Sequence, residues 1–517
     1  MGSIATITLS SHGFRVTDFN SDFAVHLSQF CRRFVQCKIE AKVHNGRKTL
    51  VKVPDRTFAS ATKNRKEIRL HLNCFEDFKH FMRNCGYATE RFKIVQLEVP
   101  AGRDVPFDFT NPGIAPREHQ VEWLDYQLNL DPVRVNTKVN TLQTGKGKTF
   151  CAIYQMVKMG KRTVITLMPK YINTWLVGLA DFVKLQPEDI MVVQGSIELN
   201  AAMKLADAGK LTAKIIIVSL PTYQYFMAEY EDNDGVMTHY NYTPDHFWEV
   251  MEPGLLIVDE GHESIHALYR FDLYCNVRNK VVLSATLEAD DPFINEMYAV
   301  VYPKAIRFRG GEYDKYIESV ALMYGLTSTK KIKYAGFGGT YSHVKLEQSI
   351  MKSNHLLDSY VKFIGDTADY FFFKVAQPGQ RLLIYCATVD MCIKVVAYMR
   401  HRHKDGGLVI NKYTQEDPKT TLYESDITIS TLMSAGTGVD IPGLRTVLMT
   451  VAIGSKQKND QALGRLRRLK DFPDVTPTFV YFVCGNIRPH MEYHRKKLEN
   501  FANKTLSQRS FNSGYSL

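Results

Sequence analysis

No Cys-x-x-Cys pair occurs among the nine cysteines, Cys31, Cys37, Cys74, Cys85, Cys151, Cys275, Cys386, Cys392 and Cys484. Their spacing excludes zinc knuckles and dithiol redox motifs. Several stand inside apolar runs, as buried thiols in a reducing, cytoplasmic setting would. No apolar run is long enough to span a bilayer and no signal peptide opens the chain, so no membrane partner is expected. The start Met1-Gly2-Ser3-Ile4-Ala5-Thr6 matches a short acylation pattern that is common by coincidence. No repeat of roughly 20 to 50 residues recurs, which excludes solenoids and propellers. No nuclease or methylase constellation is present.

Acid is also in short supply. Against 65 Lys and Arg stand 54 Asp and Glu, a formal net charge of +11. An excess of this size favours a polyanionic partner, because each neutralised phosphate releases counterions. The excess is concentrated: between Arg32 and Lys93 there are 16 basic residues and 6 acidic ones. The 517 residues exceed one ordinary domain, and 45% hydrophobic composition suffices for full cores.

Three textures follow one another. Residues 1–110 read as a small basic α+β module, with a strand-like Leu50–Val53 and a helix-like Glu76–Asn84. From 113 to 302, short apolar runs recur at Val164–Leu167, Ile190–Val193, Ile215–Val218, Leu255–Val258 and Val281–Leu283. Runs apolar on both faces and separated by helical stretches predict a parallel sheet covered by helices. A second such series lies within 351–500, at Leu382–Tyr385, Ile427–Ile429, Val447–Met449 and Phe479–Val483. Between them, 303–350 carries Gly336, Gly338 and Gly339 and reads as a linker or an inserted DNA-contacting element. Residues 501–517 end in Ser, Gly and Asn and read as a loose tail.

The segment Leu142-Gln143-Thr144-Gly145-Lys146-Gly147-Lys148-Thr149 follows an extended stretch and precedes a helical one, Phe150–Lys158. That is the setting of a phosphate-binding loop. Its glycines let backbone N–H groups turn toward phosphates, and the helix N-terminus adds partial positive charge. Lys148 is predicted to reach the β- and γ-phosphates of ATP, and the Thr149 hydroxyl to ligate Mg²⁺. Leu142 stands where the general pattern has its first glycine. About 110 residues on, the strand Leu255–Val258 runs into Asp259-Glu260-Gly261-His262. Asp259 suits the Mg²⁺ shell, and Glu260 suits the orientation or deprotonation of an attacking water.

Asp-Glu-x-His followed by Ser284-Ala285-Thr286 resembles motifs II and III of the superfamily 2 helicases and translocases. The resemblance extends over 113–490. Arg117-Glu118-His119-Gln120 is similar to the family's adenine-reading Arg-x-x-Gln, which implies Arg117 and Gln120 at the base. Pro169-Lys170 looks like motif Ia, which implies contact with the nucleic-acid backbone. Leu382-Leu383-Ile384-Tyr385-Cys386-Ala387-Thr388 looks like motif IV, leading to a phosphate-facing Thr388. Ser430-Thr431 through Ile441-Pro442 resembles motif V, implying Thr431 at nucleic acid and Gly438 and Asp440 near nucleotide. Gln461-Ala462-Leu463-Gly464-Arg465-Leu466-Arg467-Arg468 fits motif VI, which implies Gln461, Arg465 and Arg468 as catalytic residues. The two arginines, three apart, are expected to share one helix face and to stabilise charge on the transferred phosphoryl group.

The expected fold is therefore α/β: two tandem RecA-like parallel-sheet domains with a small α+β N-terminal domain. The layout resembles phage UvsW-type branch-migration helicases, an analogy of topology. It implies remodelling of forked or branched DNA. An RNA helicase, a restriction-type DNA motor acting with a partner, and a scaffold without turnover are the alternatives. In the basic module, Arg47, Lys48, Lys63, Arg65 and Lys66 are the candidate DNA contacts.

Overall fold

The computed structural model describes residues 3–517 apart from 45–46, 144, 285–286, 309–313, 329–331, 337–338, 415–416, 419 and 436–440, and it leaves out the side chains of 42–44, 47–48 and 435. Thr144, Gly438 and Asp440, and the Ala285-Thr286 pair, thus lie outside the described residues, as do the side chains of Arg47 and Lys48. The chain divides into two compact units. One comprises Met1–Leu142 and Lys146–Gly311; the other comprises Glu312–Leu517 with the segment Gln143–Gly145.

The first unit opens with strands β1 (Ala5–Leu9) and β2 (Gly13–Thr17), then the long hairpin β3 (Val35–His44) and β4 (Arg47–Thr57). Strands β5 (Ser60–Ala61), β6 (Ile68–His71) and β7 (Phe92–Gln96) complete a mixed sheet in the order β5-β6-β2-β1-β7. The hairpin stays outside it as a two-stranded ribbon. The RecA-like sheet follows, all parallel: β8 (Asn136–Asn140), β9 (Thr163–Leu167), β10 (Ile190–Val193), β11 (Ile215–Ser219), β12 (Leu255–Val258) and β13 (Asn279–Leu283), ordered β10-β11-β9-β12-β13-β8. Strands β9, β11, β12 and β13 are buried along their whole length, as a sheet sandwiched by helices requires.

The boundary expected near residue 110 does not separate two units. Phe14, Phe23, Phe34, Phe58 and Phe78 of the N-terminal module belong to one apolar core with Tyr223, Trp248 and Phe271. Buried polar bonds reinforce it. Arg69, 3% exposed, makes a bidentate pair with Asp245 (2.7 and 2.6 Å) and lies 4.0 Å over the Tyr274 ring. Ser60 donates to Glu231 at 2.6 Å, and Lys280 pairs with Asp272 beside His71. The loop carrying Lys63, Arg65 and Lys66 is exposed, and its backbone is held by Lys63 N–H on the Glu231 carbonyl (2.8 Å).

The second unit is a seven-stranded, fully parallel sheet: β14 (Glu318–Gly325), β15 (Arg381–Cys386), β16 (Ile410–Tyr413), β17 (Ile427–Thr431), β18 (Leu444–Met449), β19 (Thr478–Cys484) and β20 (Ser507–Ser516), ordered β16-β17-β15-β18-β19-β14-β20. Two expectations are corrected here. The stretch 303–350 is not merely a linker or insert, because it contributes β14, which is paired on both sides. The tail is not loose, because Ser507–Asn512 run in parallel register with Glu318–Met323. An edge strand needs its backbone partners more than an apolar face, so a Ser/Asn/Gly composition suffices. Among the described residues, no helix is long and apolar enough to cross a membrane.

Candidate nucleotide and nucleic-acid site

The phosphate-loop helix runs Lys148–Met159, and Gly147 before it has φ +82°. A side chain is disfavoured there on backbone grounds, and a Cβ would also lie 2.4 Å from Gln120 Nε2. Lys148 is 9% exposed and its ammonium donates to the Leu142 carbonyl (3.0 Å), within the curve of the loop. Gln120, on the helix Glu118–Leu128, is buried. Its amide accepts from Arg117 N–H (2.9 Å) and donates to the Lys146 carbonyl (2.9 Å). The residue expected at adenine thus braces the phosphate loop.

Asp259 and Glu260 follow β12, where a parallel strand delivers side chains to the C-terminal edge of its sheet. The Trp175 indole donates to Asp259 Oδ2 (2.7 Å), and Glu260 N–H donates to Oδ1 (3.0 Å). Burial, and then the neighbouring Glu260 charge, push Asp259 up to about 7, while Trp175 and Lys148 pull the other way. A half-buried carboxyl so poorly compensated fits a hard divalent cation, for which the Thr149 hydroxyl is the other candidate oxygen donor. Glu260 has φ +47°, a left-handed backbone that a glutamate adopts only when its surroundings impose it. The glycine of Asp-Glu-Gly-His also has a cause: a Cβ on Gly261 would lie 2.4 Å from Val282 Cγ1 of the neighbouring strand.

His262 connects two motifs. Its Nδ1 lies 3.2 Å from Glu260 Oε2 and 3.1 Å from Ser284 Oγ. Burial lowers its pKa to about 4, so the ring is neutral near pH 7. Lys170, expected at a nucleic-acid phosphate, pairs with Glu263 at 3.0 Å, and the Tyr171 hydroxyl donates to the same carboxylate (2.8 Å). Pro169 opens the short turn that presents them.

In the second unit the helix Lys456–Leu463 carries Gln461 and stops before both arginines. The shared helix face expected for Arg465 and Arg468 is therefore corrected. Gly464 N–H bonds back to the Asp460 carbonyl, and Arg465 and Leu466 close turns on Ala462 and Leu463. Arg465 is buried at 6% exposure, whereas Arg468 is exposed, bonded twice to Asp314 (3.1 and 2.6 Å) and 5.1 Å over the Tyr316 ring. Thr431 caps the turn after β17, accepting from Ser434 N–H (3.3 Å). Thr388 caps the helix Val389–Arg402 and donates to Glu347 (2.8 Å), which also accepts from Ala387 N–H (2.7 Å) and Thr388 N–H (2.8 Å). Burial raises the Glu347 carboxyl to about 7. Glu347 and Trp175 have no signal in the sequence, since neither lies inside a motif and only the tertiary fold brings them to one.

No protein-family model matches the chain, and no curated protein matches it. Solved structures do. T4 UvsW is 15% identical with a TM-score of 0.32, over 99% of this chain and 100% of that one. A point variant of S. cerevisiae Dbp5 bound to RNA and ADP BeF3 is 12% identical with a TM-score of 0.46, over 76% of this chain and 89% of that one. Identities and scores this low leave the activity to be argued from the chain's own residues.

Proposed function

We propose that the chain is an ATP-driven nucleic-acid motor of the superfamily 2 type, acting on DNA and favouring forked or branched duplex. The observation that carries the reading is the half-buried pair Asp259–Glu260, held beside the phosphate-loop lysine with a strained backbone and a donor aimed at each Asp259 oxygen. Gln143, Gly145, Lys146, Gly147 and Lys148 cradle the ATP phosphates. Thr149 and Asp259 would hold Mg²⁺, which screens phosphate charge when bound. Glu260 accepts a proton from the attacking water, and neutral His262 links that carboxylate to Ser284 in the segment after β13. Arg465 and Arg468 supply positive charge to the transferred phosphoryl group.

The test is ATP hydrolysis over a panel of single-stranded, duplex, forked and four-way DNA with matching RNA, for the parent chain and Lys148→Ala. Stimulation by DNA that vanishes in Lys148→Ala, with the fold intact by circular dichroism, is the expected result. Parent-like hydrolysis by the variant would overturn the phosphate-loop assignment. Stronger stimulation by RNA would transfer the reading to an RNA helicase, and background hydrolysis on every substrate would favour a scaffold without turnover.

A further inference from the structure

The ribbon β3–β4 is not needed by either sheet, yet it is long and well rooted. Its strands of 10 and 11 residues extend about 33 Å at ~3.3 Å per residue. At the root, Phe34 and Phe58 are fully buried. The Phe58 ring packs 5.1 Å from Tyr269, 4.9 Å from His266 and 5.6 Å from Phe293, and the His266 ring donates to the Thr57 carbonyl (2.8 Å). Gln36 donates to Asp291 at 2.6 Å. Those partners lie on or at the start of the helices Ile265–Asp272 and Pro292–Val301, the first helices after Asp259-Glu260 and after Ser284 respectively.

Beyond the root the ribbon pairs with no further strand among the described residues. The register pairs Ile39 with Lys52 and Ala41 with Leu50, which places these four on one face. Ile39 is 66% and Leu50 75% exposed. An apolar, unpaired ribbon is an aggregation hazard unless it has a partner or charge protects it. Here charge is plentiful and of one sign: Lys38, Lys42, Arg47, Lys48, Lys52 and Arg56 against Glu40 and Asp55. Lys38 is already bridged to both acids (3.1 and 3.2 Å), so the surplus is carried by the others.

We propose that this ribbon lies in the major groove of duplex DNA, its Ile39/Leu50 face toward base edges, with Lys52 of that same face reaching a flanking phosphate. The proposal rests on the motor reading above and assigns it a duplex-gripping arm. Three features select the ligand. The surplus of cations selects a polyanion. The absence of Phe, Tyr and Trp between Val35 and Thr57 disfavours unpaired bases, whose binding relies on aromatic stacking. The dimensions select B-form over A-form, because a B-DNA major groove about 12 Å wide admits a two-stranded ribbon, whereas the deep, narrow RNA groove excludes side chains. The aliphatic face meets thymine methyl groups there.

The experiment uses the full chain with residues 39–42 and 49–52 deleted, which removes four rungs and keeps residues 43–48, the root and the alternation of the remaining strand positions. Binding to a 30-base-pair DNA duplex, the matching RNA duplex and single-stranded DNA is measured across salt, alongside single-strand-stimulated ATP hydrolysis. The expected result is a loss of duplex-DNA affinity of tenfold or more. The log–log salt slope should flatten by about 0.9 for each phosphate the ribbon no longer neutralises. Single-strand binding and stimulated hydrolysis should be unchanged. The double variant Ile39→Ser/Leu50→Ser, which leaves all charges in place, should weaken duplex binding without moving the slope. If the deletion misfolds, this double variant and Lys52→Glu decide the question. Unchanged duplex affinity in a parent chain whose hydrolysis DNA stimulates would overturn the ribbon's role alone. Equal losses on RNA duplex or on single strands would overturn the groove geometry. A parent dimer in sedimentation that the deletion abolishes would assign the face to a second copy instead. A parent chain unstimulated by any nucleic acid would remove the motor reading and the ribbon's role together.

Discussion

Each of the two parallel-sheet domains holds a desolvated ionisable group near neutrality, Asp259 in the first and Lys497 in the second, and the two differ in what surrounds them. In the first, Asp259 is pushed up to about 7 by burial and by Glu260, with Trp175 N–H and Glu260 N–H already donating to it. In the second, Lys497 is lowered to about 7 by burial alone, its ammonium 4.3 Å over the Tyr481 ring and 6.0 Å from that of Phe479. Both groups carry a cost of burial, but only Asp259 stands at the C-terminal end of a parallel strand beside a phosphate loop. Perturbation marks a functional site when geometry gives the charge a task; otherwise it marks a strained core.

The sharpest way to test that distinction is Glu260→Gln. The amide keeps the shape, cannot take the water's proton and removes the like charge beside Asp259. Single-turnover hydrolysis should slow by about 10³-fold or more with ATP still bound, while Asp259 titrates lower in the variant. Weak ATP binding with unchanged turnover of the bound fraction would deny Glu260 its role.

In the second domain the arginine proposed to act on the transferred phosphoryl group is Arg468, and Arg468→Ala should reduce DNA-stimulated turnover by roughly 10³-fold with nucleotide affinity preserved. Normal stimulation would leave Arg468 as a surface partner of Asp314.

Next come Asp259 and Lys497 themselves, whose pH effects on stability have opposite signs. Asp259 binds its proton more tightly folded than unfolded, so its cost is complete above pH 7 and is relieved as pH falls toward 3.8. Lys497 binds its proton less tightly folded, so its cost is complete below pH 7 and is relieved as pH rises toward 10.5. Asp259→Asn should stabilise the nucleotide-free protein by about 2–4 kcal/mol at pH 8, with little gain near pH 4. Lys497→Met should give a similar gain at pH 6, shrinking toward pH 10 and reduced by about 1 kcal/mol for the missing attraction between ammonium and ring. Chemical denaturation across pH reads both. Only Asp259→Asn should abolish hydrolysis; if Lys497→Met did so too, the contrast between the domains would collapse.

The smallest expected effect is that of Glu347→Gln. An amide matches the three donors at Ala387 and Thr388 less well, so a loss of about 1–2 kcal/mol in unfolding free energy is expected. A parent-like melting temperature would show that the loop after β15 holds itself.

How legible these features are in the sequence depends on local chemistry. The strand Leu255–Val258 emerges with the observed bounds because burial on both faces leaves an unbroken apolar run. Strand β20, Ser507–Ser516, is hidden because its pairing is made by backbone. The junction after Leu463 is illegible, since a three-residue spacing between arginines says nothing about where Gly464 ends the helix. The N-terminal module looks separate by charge, whereas Phe34 and Phe58 commit it to the core of the first domain. Asp259 and Glu260 are visible as a motif; the indole that holds one and the backbone twist beneath the other are not.

That twist bears on engineering. At Glu260, glycine or asparagine would sit more comfortably at φ +47°, by about 1 kcal/mol or more. On the role proposed for Glu260, a selection for heat resistance alone would drift toward replacing it, and its best survivors would be inert. Any stabilised variant of this chain has to be screened for turnover at that residue first.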